Sequence, residues 1–228
     1  MDFLLASFAS ALRLIASAAP DLVDAVRTSL AVSAGATAFA SLFGIPLGLF
    51  VGIVDFPLKR ATVTVLNSLM AVPTVVIGLF IYGFISRQGP LGALGLLFTP
   101  TAIVIGGTLL AAPIAANYAM ASARGADVRI VPTALTLGAG RLRAAAALVG
   151  EIRFGILAAV IAGFGRVVSE VGVAMMLGGN IRGYTRTMTT AIALETSKGE
   201  FAFGMALGIV LMTVALGVNV FLSVLQRK

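Results

Sequence analysis

Residues 122–153 read SARGADVRIVPTALTLGAGRLRAAAALVGEIR, a basic stretch between long apolar runs. Its five arginines are Arg124, Arg129, Arg141, Arg143 and Arg153, in a chain that is only 11% charged. Alanine and leucine dominate the remainder and favour helix. Pro132 suits the first turn of a helix, where a missing N–H costs nothing. Gly138 interrupts the pattern, and helical composition resumes at Arg141. The stretch therefore reads as a helix–turn–helix over Val131–Val149. Its physical use is either a lever seated in a cytoplasmic partner or a basic loop that fixes topology.

Outward from this insert the chain is apolar. It has 228 residues, 59% of them hydrophobic, with 26 glycines and a mean hydropathy of +1.07. Several runs exceed the ~18 apolar residues that read as a membrane-spanning helix. Lipid offers no partners for open backbone groups, so helices are the expected spanning element. Strands of a barrel would alternate apolar and polar residues, and these Val/Leu/Ile/Ala runs do not. The fold class expected is an all-α polytopic membrane protein with about five spans, near 26–54, 61–86, 101–122, 154–177 and 201–225. With five spans, nine basic residues fall on the side of the insert and six on the other. The positive-inside rule then puts the N-terminus outside and the insert and C-terminus in the cytoplasm. Residues 1–20 carry Phe3, Leu4, Leu5, Phe8, Leu12 and Ile15 at helical spacing. They read as an amphipathic interfacial helix ending near Pro20-Asp21, with a sixth span as the alternative. Residues 21–228 form the single transmembrane domain, with the basic loop at about 123–153.

There is no cysteine and no histidine, which removes thiolate chemistry, the commonest metal ligand and the neutral-pH proton carrier. No catalytic or metal constellation is expected, and no cofactor. Pro46, Pro73 and Pro113 fall inside the first three spans, beside glycines; they mark either close helix packing or hinges of a pathway. In the fourth span Arg166 and Glu170 stand four apart, on one helical face where they can pair. An unpaired charge at that depth costs several kcal/mol, so the pair, with Ser169 between, faces a pathway or a helix interface. Between spans four and five, Arg182, Tyr184 and Arg186 precede a helix of about three turns, Thr187–Ser197, too short to span. This loop is expected to meet an anionic solute or an acidic partner, or else to be a solvated loop.

A resemblance bears on these alternatives. Ala134-Leu135-Thr136-Leu137-Gly138-Ala139-Gly140-Arg141 is similar to the coupling loop of ABC-importer permeases. Pro132-Thr133 and Gly150-Glu151 depart from the family pattern at its two ends. Thr28-Ser29-Leu30 with Gly44-Ile45-Pro46-Leu47-Gly48 resembles that family's first core helix, and Leu69 to Gly78 its second. Gly165-Arg166-Val167-Val168-Ser169-Glu170-Val171-Gly172 resembles the signature of the oxyanion branch, with Ser169 in place of glycine. Gly178 to Arg186 and Glu195 to Glu200 look most like tungstate-transporter permeases.

The resemblance implies a type I importer permease, not itself an enzyme, working as a homodimer with an ATP-binding subunit and an extracytoplasmic substrate-binding protein in a bacterial inner membrane. It implies that Ala134, Leu137, Gly138, Ala139 and Arg141 couple to the ATPase. It also implies that Arg182, Tyr184 and Arg186 lie at the pathway mouth or contact the binding protein. Independently, no Gly-x-x-x-x-Gly-Lys-Ser/Thr occurs in the chain, so ATP hydrolysis is expected in another subunit. The cargo expected is tungstate, with molybdate or sulfate as alternatives. A self-contained secondary transporter is the rival; it would show internal repeats and coupling carboxylates or histidines. A membrane assembly factor without transport of its own is a second rival. Nucleic acid is not an expected partner, because topology accounts for the basic balance.

Overall fold

A computed structural model describes residues 2–226, apart from the side chains of residues 2, 141, 219, 222, 223, 225 and 226. Arg227 and Lys228, which enter the charge comparison above, lie outside the described residues. The described chain is helical: α1 Asp2–Ala16, α2 Pro20–Ile53, α3 Lys59–Ala71, α4 Thr74–Ile85, α5 Pro100–Gly125, α6 Ile130–Thr136, α7 Arg141–Glu151, α8 Arg153–Val168, α9 Gly172–Gly178, α10 Met188–Ser197 and α11 Phe201–Gln226, with a 3-10 turn at Gly92–Leu94. Three of these helices are long and apolar enough to cross a membrane, or five crossings if each of two bent helix pairs counts as one.

The bundle is organised around α2 and α5. At 34 residues, α2 is about 50 Å long, well beyond the ~30 Å hydrocarbon core. Gly44, Gly48 and Gly52 recur every fourth residue on one face of it. A Cβ at Gly44 would sit 2.5 Å from the Ala112 carbonyl oxygen, at Gly48 2.1 Å from that of Ala116, and at Gly52 2.9 Å from Ala123 Cβ. Backbones therefore touch along the seam, the close approach that small residues permit between membrane helices. Ascending numbers match on both sides, so α2 and α5 run parallel. Thr108 adds a hydroxyl that donates to Val104 O at 2.7 Å within α5. Pro46 and Pro113 lie inside these two helices, which continue unbroken through both.

The remaining elements alternate direction around this pair. The second expected span, 61–86, is two helices bent by 97°. The break is Val72-Pro73: Pro73 lacks a donor, and Val72 before it is extended at φ −65, ψ 129, the conformation that proline imposes on its predecessor. From there α4 runs beside α9, with Gly78 against Val173 and Met176. Helix α8 descends antiparallel to α5, from Gly155 at Ser122 to Val167 at Gly107. The last helix, α11, closes the bundle through Ala206 and Leu207, buried with Leu22, Ala25, Val168, Met188 and Ala191.

The N-terminal helix α1 is about 22 Å long and seats Ala11 in that same cluster, with Phe3 edge-on to Phe201 at 5.4 Å. It thus packs on the start of α11. Residues 130–151 project from the opposite end, where α2 and α5 finish. At the far end, Phe98 N–H donates to Leu177 O at 2.8 Å, tying the α4–α5 loop to the end of α9.

Candidate functional site

The basic insert folds as the helix–turn–helix expected from composition. Asp127 opens it: its carboxylate accepts from the backbone N–H of Arg129 at 2.9 Å and from the Arg129 guanidinium. Those hydrogen bonds hold the Asp127 carboxyl below the usual carboxylate range and raise the Arg129 pKa. Pro132 is the third residue of α6, not the first. The economy is unchanged, since the first four N–H groups of a helix have no internal acceptor.

The end of α6 is a Schellman motif. Ala139 N–H donates to Ala134 O at 3.0 Å and Gly138 N–H to Leu135 O at 3.0 Å, with Gly138 left-handed at φ +85. That conformation is cheap only for glycine. It turns the chain so that Gly140 caps α7 and Arg141 opens it; the Arg141 side chain lies outside the described residues. On α7, Ala144 and Leu148 are buried, and Ile152 just beyond it is buried too. The outward side carries bare aliphatics instead: Leu137 is 83% exposed, Leu142 89% and Val128 85%. Leu142 was not singled out by sequence, although an isolated leucine between Arg141 and Arg143 is the available signal.

The second cluster lies within the bundle. Arg166 Nη1 donates to Glu170 Oε2 at 2.6 Å. The two do not share one continuous helix, because α8 ends at Val168. Glu170 instead turns its other oxygen to the next helix: Oε1 accepts from Gly172 N–H at 2.8 Å and Val173 N–H at 3.3 Å. It thereby satisfies the orphan amides at the start of α9. Its backbone carbonyl accepts from Thr189 Oγ1 at 2.7 Å. Glu170 is buried while Arg166 is about a third exposed. Ser169 closes α8 by donating to Gly165 O at 2.8 Å. Beside Glu170, Ser29, Ser33, Thr187 and Thr189 line a void of about 10 Å³, room for one water molecule.

At the far end the loop 178–187 is internally fixed. Thr185 is fully buried and donates to Gly178 O. Thr187 and Thr190 form a capping box at the start of α10, and Met188 N–H donates to Ser29 Oγ at 2.6 Å. Arg182 is exposed but bound to Asp21, with Nε 2.7 Å from Oδ1. Arg186 is turned inward, 3.5 Å from Glu195, which also meets Lys198 at 3.2 Å. Tyr184 is half exposed. Of the three residues expected at the pathway mouth, Arg182 and Tyr184 thus face out, and both arginines are already paired with acids. The sequence concealed the Arg182 pairing because Asp21 lies far away in the chain.

Of the three expected hinge prolines, Pro73 sits at the 97° break. No group of three or more His, Cys, Asp or Glu that could hold a metal occurs among the described residues.

No family model matches the chain. Over its whole length it is 39% identical to the tungstate uptake system permease protein of Peptoclostridium acidaminophilum, covering 100% of both chains. It is 38% identical to the tungstate uptake system permease protein of Campylobacter jejuni, over 100% of this chain and 95% of that one. Among solved structures, an inward-facing methionine ABC transporter matches with a TM-score of 0.75 at 17% identity, over 90% of this chain and 94% of that one. That likeness shows the fold. The chain belongs to the family of oxyanion ABC-transporter permeases, multi-pass proteins of the cell membrane.

Proposed function

We propose that the chain forms the translocation pathway of an ATP-driven importer for a tetrahedral oxyanion, with tungstate as cargo. The observation that carries the cargo is the end-to-end identity to tungstate uptake permeases. Pathway subunits of this family hydrolyse nothing themselves, and no cofactor is proposed for this chain. Energy comes from a separate ATP-binding subunit, and cargo from an extracytoplasmic binding protein. Two copies of the chain enclose the path, with the insert and the C-terminus in the cytoplasm.

The geometry supports a mechanical role for each cluster. The turn at Gly138 is the part of the chain that the ATPase moves. Leu137 and Leu142 present apolar contacts, while Ala134 and Ala139 close the turn through their hydrogen bond and Arg141 supplies charge. When ATP draws two such turns together, the bundle rocks outward as hinged rigid pieces. The breaks at Val72-Pro73 and at residues 169–171 are the places that bend, whereas the glycine seam keeps α2 and α5 moving as one despite Pro46 and Pro113. Glu170 and Arg166 hold the second break. Arg182 and Tyr184 are contacts for the binding protein; Arg186 shapes the loop from inside.

The test uses the chain reconstituted with its ATPase and binding protein. Tungstate-loaded binding protein is expected to stimulate ATP hydrolysis several-fold over sulfate-loaded protein. Equal stimulation by both would move the cargo assignment to sulfate or to a broader oxyanion class. Hydrolysis indifferent to the binding protein would overturn the importer reading.

A further inference from the structure

The connection between α2 and α3, together with the end of α5, borders an open recess of about 820 Å³ that none of these roles uses. It opens at the insert end of the bundle and is walled by Phe56, Pro57 and Val63, with Lys59, Arg60 and Arg124 on its rim. Lys59 is held by Asp55 at 2.8 Å, which leaves one cation neutralised locally. Arg60 and Arg124 are both exposed, and neither has an acidic partner among the described residues. Two guanidiniums facing one recess favour a ligand with a phosphate-like, bidentate anionic group.

The surroundings say which ligand. Phe50 stacks on Phe56 with ring centroids 5.5 Å apart. Phe50, Ile53, Val54 and Leu58 are all exposed, Leu58 by 69%. The basic rim therefore adjoins Phe56, whose ring reaches Phe50 near the end of the membrane-crossing helix α2, with Ile53 exposed on that helix and Val54 and Leu58 exposed on the loop after it. A free oxyanion would use the cations and leave these apolar groups without a role. A phospholipid uses both, with phosphate at the arginines and an acyl chain along Phe50 and Ile53. We propose that this recess is a binding site for one anionic phospholipid, held through its headgroup phosphate by Arg60 and Arg124. Basic pockets beside membrane helices bind such headgroups, and each arginine near an anionic lipid surface is worth roughly a fivefold gain in affinity. The site is independent of which anion the chain carries.

Native mass spectrometry of the purified full-length chain, titrated with phosphatidylglycerol and with phosphatidylcholine, tests this. Wild type is expected to prefer phosphatidylglycerol several-fold, because phosphatidylcholine offers the same phosphate with a choline cation beside it that the arginines repel. The double variant Arg60→Gln/Arg124→Gln is expected to lose the preference, and Arg60→Lys/Arg124→Lys to keep only part of it, because lysine retains the charge but not the bidentate fork. Arg87→Gln, at the opposite end of the bundle, should change nothing. Should the glutamine variant not fold, rising salt must erode the preference of the wild type instead. Equal binding of the two lipids by wild type, or a preference that survives in the folded glutamine variant, overturns the site. Displacement of phosphatidylglycerol by sodium tungstate also overturns it and makes the recess an oxyanion site.

Discussion

Glu170 shows how one residue can hold three helices together. Its carboxylate faces a guanidinium on α8 and two amides on α9, while its carbonyl is held by Thr189. A charged hydrogen bond contributes about 1.5–3 kcal/mol. Glu170→Ala should therefore lower stability by roughly 2–4 kcal/mol, read as a falling melting temperature in detergent. Arg166→Gln should cost less, because Arg166 is partly exposed and solvent screens it. The charge swap Arg166→Glu/Glu170→Arg should not restore stability, since an arginine at 170 cannot accept from the amides of α9. Full restoration by the swap would show that only the ion pair matters. The sequence disclosed the pairing through the spacing of four. It could not disclose the cap, because a glutamate two residues after Val167-Val168 reads equally as helix interior.

Among the elements, the seam of α2 with α5 and the turn between α6 and α7 depend on glycine in different ways. At Gly48 the reason is space: with Ala116 O at 2.1 Å from an added Cβ, Gly48→Ala forces the two backbones apart. The expected cost is about 1–3 kcal/mol, seen as reduced thermal stability and reduced yield of folded protein; an unchanged melting temperature would contradict the packing. At Gly138 nothing lies within 4 Å, and the reason is the left-handed backbone at φ +85. Gly138→Leu should therefore strain the turn by about 1–2 kcal/mol and abolish stimulation of the ATPase by binding protein, with little change in global melting. Gly44 and Gly48 were visible in sequence as small residues beside Pro46, and their partners on α5 were not, because both helices are largely apolar. Sequence marked Pro46, Pro73 and Pro113 alike as hinges, and hydropathy sees one run in each span; only at Val72-Pro73 does the helix break. The helix–turn–helix was legible since Gly138 punctuates strong helix formers.

At the scale of the whole molecule, the helices pack around the α2–α5 pair, one end carrying the turn at Gly138 and the other the loops near Asp21 and Arg182. The far-end loops are laced by ion pairs and hydroxyls, so they arrive at any partner already shaped. The insert end instead offers bare leucines. Sequence reached the family and the all-helical, membrane-crossing fold, because hydropathy and the motif around Gly138 are local signals. It did not reach the neutralisation of Arg182 by Asp21, which needs the ends of α2 and α9 brought together. The central claim is that ATP hydrolysed elsewhere moves tungstate through this chain by way of the exposed turn. ATP-dependent tungstate uptake into vesicles carrying the chain, its ATPase and its binding protein measures this directly. We expect uptake to require all three components and to fall at least tenfold in Leu137→Asp/Leu142→Asp while the variant chain stays folded. Uptake that continues without the ATPase, or that the folded double variant sustains at the wild-type rate, would contradict the account.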